Sequence, residues 1–419
     1  MGGTTTHIDL TKTMLVYLVF LGIFCVVGLF IYRLYFHPLH KFPGSKLASL
    51  SGLYEFYFDV VKDGSYIWEI EKMHDKYGLM DIGMRPDTCR MILIGGLGPV
   101  IRINPNELHI KDSASYNEIY CGGRDKYRAS TRAFGTPEST HETISYRHHQ
   151  QRRKLLQGHF SKRAVMQLQP LIESKVDKLI HRLAKSKEDV EPVDLQAGFA
   201  ALATDIISEH VCGTAYGCLH EADFQNDVRD QVLEWESSFQ LVRLLPIFSF
   251  FKSYPFSLLH KLNPRPAKIC LLEDKIRHHI MNAVELKGLP HSDVIAALTG
   301  THVPAEEKTA TRIQDECGFL LRAGTETTSR AFAVTMFYLL ESPDIFQKLH
   351  SELKAAMPVA TKYPRLTELE SLPYLRAVIF EGIRLSVGLL TRLPRVATDE
   401  ALQYNGWTIP KGVSIHSQP

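Results

Sequence analysis

The sequence predicts a mainly α-helical fold with a small β portion, carried behind an N-terminal transmembrane helix. Three observations lead there. Near the start, "MLVYLVFLGIFCVVGLFIY" (residues 14 to 32) contains no charged residue. From about residue 145 to 390 apolar residues recur at helical spacing. After residue 390 the pattern changes to short extended pieces separated by "NGW" and "IPKG" turns.

The chain has 419 residues, of which 45% are hydrophobic and 22% charged. That is ample for a large core, as one big domain or as two to three ordinary ones. The formal net charge of +2 and a pI of 8.1 give no reason to expect nucleic acid as a partner. Seven cysteines, at 25, 89, 121, 212, 218, 270 and 317, are scattered without a C-x-x-C pair. An odd, unclustered set is neither a disulfide framework nor a zinc module, and it fits a reducing compartment.

In chain order, residues 1–13 form a lumenal N-terminus, and residues 14–32 an anchor that spans roughly 28 Å as a helix. A cleaved signal peptide is the rival reading, but the apolar run is long and no A-x-A-like site follows. Arg33, His37, His40, Lys41 and Lys46 come just after it, which puts the main body on the cytosolic side. Residues 33–48, with "HPLHKFPG", are a proline-containing hinge, and residues 49–419 are the main domain. Strand candidates follow around "RMILIG" and "PVIRIN". Helices are expected over "AVMQLQPLIESKVDKLIHRLAK", "VDLQAGFAALATDIISEHVCG" and "SPDIFQKLHSELKAAM", the last capped by Ser342 before Pro343.

"ECGFLLRAGTETTSRAFAVTMFYLL" reads as a long oily helix with a weak, polar middle at residues 323 to 328. A glycine there costs about 1 kcal/mol against alanine. Arg322, Glu326 and Arg330 are spaced i, i+4, i+8, compatible with a solvent-facing ion-pair stripe. The stripe leaves Ala323-Gly324 beside consecutive threonines unexplained. Small residues allow close approach of a ligand or backbone, and a threonine bonding back one turn can bend or open a helix. An acid beside a hydroxyl at such an opening could relay protons. The residues alone leave both readings open.

"LPYLRAVIFEGIRLS" (372 to 386) is apolar around nearly its whole circumference, as a buried helix is. Glu381 and Arg384, at i and i+3, then form an interior ion pair. An isolated E-x-x-R is a common helical accident, but inside an oily helix it needs further partners.

"AGTETT", "EGIR" and "RLPRVATDEALQYNGWTIPKG", in that order and spacing, resemble the cytochrome P-450 haem-thiolate monooxygenases. "HPLHKFPG", "VIRINPNELHI" and "HHQQRRKLLQGHFSKRAV" resemble the filamentous-fungal branch used in secondary metabolism. The resemblance covers essentially the whole chain. It implies the cytochrome P-450 fold, incomplete at the C-terminus, and a haem cofactor. It also implies electrons from NADPH through a reductase, an apolar small-molecule substrate, and a single-pass site in the endoplasmic reticulum membrane. By that resemblance Glu326 and Thr327 are the acid–alcohol pair delivering protons to bound dioxygen, over a groove lined by Ala323 and Gly324, where the helix opens over the haem. Arg153, with His149 in the place of a tryptophan, and Arg395 are the haem-propionate residues. Glu381 and Arg384 are the structural E-x-x-R pair, and Leu389 and Leu390 fall where the substrate pocket is lined.

The sequence also departs from the family. The haem-ligating cysteine loop, F-x-x-G-x-R-x-C-x-G, lies well downstream of the "IPKG" turn in the family. None of the seven cysteines here has that context, so the axial metal ligand is missing from the sequence. The expectation is a truncated chain, inactive as it stands, with Glu381–Arg384 under-satisfied and an apolar face exposed. Residues 79–98, "LMDIGMRPDTCRMILIGGLG", interrupt the family pattern as a retained-intron insertion or a genuine loop and strand. Two function classes therefore stand: an anchored monooxygenase, and an inactive remnant. A metal hydrolase fails, because His141-Glu142 is followed by Ser145 where H-E-x-x-H needs histidine.

Overall fold

The computed structural model describes residues 5–77, 100–120, 123–128, 134–236, 239–244, 274–282, 293–357, 363–388 and 391–417. The chain divides into two compact units, Met1–Ser130 with Thr391–Pro419, and Thr131–Leu390.

The first unit opens with α1 (Thr5–Ile31), prolonged by a π-helical turn, Tyr32–Phe36. Lys12–Phe36 is long and apolar enough to cross a membrane, and none of it is buried. The hinge is tied down at once. The Arg33 guanidinium donates to the Leu50 carbonyl at 2.5 Å, while the Arg33 carbonyl accepts from Arg102 at 2.9 Å. Pro43 accepts the Arg102 N–H at 2.6 Å.

Next comes α2 (Tyr66–Tyr77), whose Tyr66, Ile70, Met73 and His74 are buried at i, i+4, i+7 and i+8. Short helical segments at Lys46–Leu50, Leu53–Phe56 and Tyr57–Val61 precede α2. The unit also holds α3 (Ser113–Tyr120) and strands β1 (Val100–Asn104), β2 (Glu107–Ile110), β3 (Asp125–Lys126), β4 (Arg395–Val396), β5 (Leu402–Tyr404), β6 (Trp407–Ile409) and β7 (Ser414–Ser417). Five of them form one sheet in the order β1-β2-β7-β4-β3, and β5-β6 is a separate hairpin. The β portion is thus built from both ends of the chain, as expected. "PVIRIN" supplies β1. "RMILIG" and the interruption at 79–98 lie outside the described residues. Asn405 (φ 44°) and Gly406 (φ 81°) make the turn of the β5–β6 hairpin. Two successive left-handed residues match the twist of paired strands, so Asn-Gly is the favoured pair there. Ile101 and Ile103 of β1 pack on α2, and Leu108 and Ile110 of β2 on Ile415 of β7.

The second unit is helical: α4 (Tyr146–Leu156), α5 (Gln169–Glu188), α6 (Leu195–Cys212), α7 (Asp227–Glu236), α8 (Asp293–Thr299), α9 (Ala310–Glu341), α10 (Pro343–Ala356) and α11 (Pro373–Ser386). The first expected helix is two, broken at Leu168, because Pro170 has no N–H and fits only an opening turn. Ser342 does hold the N-cap position of α10, with proline in the first turn, but its hydroxyl makes no capping bond. α9 threads the unit. Its Ile313, Cys317 and Leu321 join Val211 and Cys212 of α6 and Val294, Ile295 and Leu298 of α8 in the largest core cluster.

Candidate functional site

The weak middle of α9 does not open. The helix is continuous over 32 residues. Its threonines bond back one turn without breaking the ladder: Thr325 donates to the Leu321 carbonyl at 2.8 Å and Thr327 to that of Ala323 at 2.7 Å. The expectation of an opened helix is corrected on that ground. The small residue has another use, since a Cβ at Gly324 would lie 3.0 Å from the Ile207 side chain of α6. Thr204 and Thr325 hydroxyls meet at 2.9 Å in the same seam. Gly324 lets two helices close on each other, and Ala323 beside it is half-buried.

Glu326 and Thr327 part company across the helix. Thr327 is exposed, whereas Glu326 is only 6% exposed. The Gln196 amide of α6 donates to Glu326 Oε1 at 3.4 Å, and Oε2 has no hydrogen-bond partner among the described residues. Burial, and then the like charge of Glu236 on α7, raise the Glu326 carboxyl above its usual range. The solvent-facing stripe is therefore absent. Arg322 donates to Gln231 at 3.3 Å, Arg330 to the Ser386 carbonyl at 3.1 Å, and neither forms an ion pair with Glu326 among the described residues.

α4 separates two adjacent arginines. Arg152 points inward, 5% exposed, and donates to Glu307 at 2.8 Å and Glu138 at 3.0 Å. Glu307 also pairs with His148 at 2.5 Å and Arg312 at 3.2 Å. Burial alone would raise the Glu307 carboxyl, but the Arg152 and His148 bonds hold it down to about 2. Arg153 lies on the outer face, exposed, with no side-chain partner among the described residues. His149 is half-buried one turn earlier on the same helix.

Glu381 and Arg384 form the expected pair, with donor–acceptor distances of 2.7 and 2.6 Å. Each stabilises the other's charge, so Glu381 titrates lower and Arg384 higher than usual. Their interior location is corrected: the side chains are 55% and 67% exposed. The reason is one-sided use of α11. Gly382 and Ser386 are buried, and Gly382 abuts Thr335 of α9. Ile379, Phe380 and Ile383 stay exposed, so the helix buries one stripe of an all-round apolar surface. The expectation of an exposed apolar face does hold. Leu389 and Leu390 lie outside the described residues.

In the other unit, Arg395 is half-buried at the start of β4. It donates to the carbonyls of Leu393 at 3.0 Å and Pro394 at 3.3 Å and stacks over Tyr120 at 5.2 Å. Burial lowers its pKa, and it has no carboxylate partner among the described residues.

Sequence reasoning missed Gln196, Arg152 and Gly382. For Gly382 a signal existed, the one small residue inside the oily "FEGIRL". Gln196 gave none, because it meets Glu326 only through the packing of α6 on α9.

Residues 123–418 match the family model described as cytochrome P450. Cytochrome P450 monooxygenase TRI4 of Trichoderma arundinaceum is 39% identical over 391 residues, covering 92% of this chain and 72% of that protein. Conidiogenone synthase PchP450 of Penicillium rubens is 40% identical over 400 residues, covering 94% and 76%. Cytochrome P450 monooxygenase pbrB of Penicillium brasilianum is 36% identical over 403 residues, covering 93% and 74%.

Proposed function

The chain belongs to the cytochrome P450 family, and from that premise we propose a membrane-anchored, haem-dependent monooxygenase of secondary metabolism that inserts one oxygen atom of O2 into an apolar organic substrate. The named relatives carry the monooxygenase reading. The apolar span at Lys12–Phe36 supports the anchor. The endoplasmic reticulum as its membrane, with the main body cytosolic, and a reductase passing electrons from NADPH belong to the same proposal.

On the structural side the observation that carries the reading is Glu326. A carboxylate buried with one oxygen unpartnered destabilises a fold, and such groups concentrate at functional sites. Burial, and then the like charge of Glu236, raise the pKa of Glu326 above the usual carboxylate range, which favours the protonated form of a proton-carrying acid. The Thr327 hydroxyl donates to Ala323, so its oxygen lone pairs remain to accept a proton on the exposed face.

Arg153 fits the role of a haem-propionate residue: it is an exposed cation with no side-chain partner among the described residues, and it would hold a propionate. Arg395, taken by itself in the other unit, is likewise a cation without a carboxylate partner among the described residues. When bound, haem supplies iron for the activation of dioxygen. Among the described residues no cysteine is placed as an accessible thiolate that would hold its iron. Cys212, Cys218 and Cys317 are buried. A bond with Cys212, together with burial, pushes the Cys317 thiol well up, and burial pushes up that of Cys218. Cys25 lies in the apolar segment Lys12–Phe36.

The test is the carbon-monoxide difference spectrum of the reduced full chain supplied with haem. A thiolate-type Soret band is the expected result for the monooxygenase. Its absence from a folded, haem-supplied chain would favour the rival reading of an inactive remnant.

A further inference from the structure

We propose that Gln196 is the positioning residue for Glu326: its Nε2 holds Oε1 and leaves Oε2 as the oxygen that exchanges a proton. The inference rests on the proton-delivery reading of Glu326.

The seam between α6 and α9 gives Gln196 a fixed reach. Gly324 closes on Ile207, Thr204 and Thr325 share a hydrogen bond, and Phe199 packs on Phe332 with ring centroids 5.4 Å apart. The opening turn of α6 is itself secured by Asp194, whose side chain accepts the Ala197 N–H at 2.9 Å. Gln196 sits in that turn, half-buried. Its amide nitrogen is 3.4 Å from Glu326 Oε1, and Oε2 is the orphan.

The charged groups facing Glu326 are Glu236 and Arg229 from α7 and Arg330 from α9 itself. Both cations are engaged elsewhere. Arg229 lies 3.9 Å from Asp194, and Arg330 bonds the Ser386 carbonyl. Had either closed on Glu326, a salt bridge would pin it as a carboxylate and remove the proton it must carry. A neutral amide fixes the geometry of one oxygen without that effect. The choice of glutamine at 196 thus reconciles an oriented acid with one that still protonates.

The test reads the carboxyl C=O stretch of Glu326 by infrared spectroscopy on the full chain, identified by its loss in E326Q and titrated with pH. Q196M has the same length but no donor, so the midpoint should rise by roughly half to one pH unit. Q196K puts a cation in the same place and should lower it. In the haem-loaded enzyme the pH profile of product formation should follow each midpoint. Midpoints unchanged in both variants would overturn the inference, as would a product profile that ignores a shifted midpoint. The infrared titration needs no haem, so it stands or falls separately from the carbon-monoxide spectrum that tests the monooxygenase reading.

Discussion

Gly382 of α11 and Thr335 of α9 are in direct contact, and the threonine hydroxyl occupies the space a Cβ at position 382 would need. Thr335 cannot simply rotate away, because that hydroxyl donates to the Ala331 carbonyl at 2.6 Å. Glu381 and Arg384 are therefore displayed on a helix whose distance from α9 is set by the glycine between them in sequence.

G382A should accordingly destabilise the chain by about 1–3 kcal/mol through overpacking, although alanine is the better helix former. Urea unfolding of G382A, T335A and the double variant measures it. T335A placed in the G382A chain should restore more than half of the loss, because the two side chains share one volume. Additive losses would mean that the contact is not the cause.

Arg152 and Arg153 should respond in opposite ways. R152M removes the cation from a buried group of carboxylates and should cost about 3 kcal/mol or more. R153Q changes an exposed, unpaired side chain and should leave stability within about 0.5 kcal/mol, while haem affinity falls. Urea unfolding and a haem titration on both variants separate the roles. Equal effects on stability would contradict the inward and outward assignment.

Glu307 gives a pH dependence with a definite sign. Its folded carboxyl titrates near 2, below the usual 4.5, so its contribution is fully present above the unfolded value and is lost as pH falls toward 2. The wild type should lose stability relative to E307Q across that window, and the difference between them should be flat above about pH 6. A difference that instead grew on going from neutral to alkaline pH would rule out this network as its source.

Much of the fold was legible because its signals are local. Asn405-Gly406 announces a hairpin through backbone preference alone, and the uncharged run from 14 to 32 needs no partner to be recognised. The "AGTETT" segment was legible as an irregularity but not in its use. Gly324 answers to Ile207, which lies more than a hundred residues away in sequence. α11 misled for a related reason. Apolarity on every side states what a helix can bury, and the described residues cover only the stripe that meets α9. Whether Glu326 turned outward into a charge stripe or inward toward Gln196 was likewise undecidable from spacing. The spacing is the same in both cases, and the outcome depends on where α6 and α7 pack.

Glu326 should make the native chain less stable at neutral pH than a variant without the charge. Burial and the nearby Glu236 raise its carboxyl above the usual 4.5, so folding costs more once the unfolded chain has ionised. Stability then falls as pH rises through the unfolded value toward the folded one, the reverse of the Glu307 case. E326Q keeps the shape and abolishes the titration. It should match the wild type well below the usual value of 4.5 and exceed it progressively as pH rises above that value, as read by urea midpoints at each pH. In the haem-loaded enzyme the same substitution should slow product formation by roughly 100-fold, the scale of a lost proton-transfer group. Gaining stability while losing rate would mark Glu326 as a residue kept for chemistry at the expense of the fold. A variant that lost both would instead make it structural, and the orphaned Oε2 would then need a partner elsewhere.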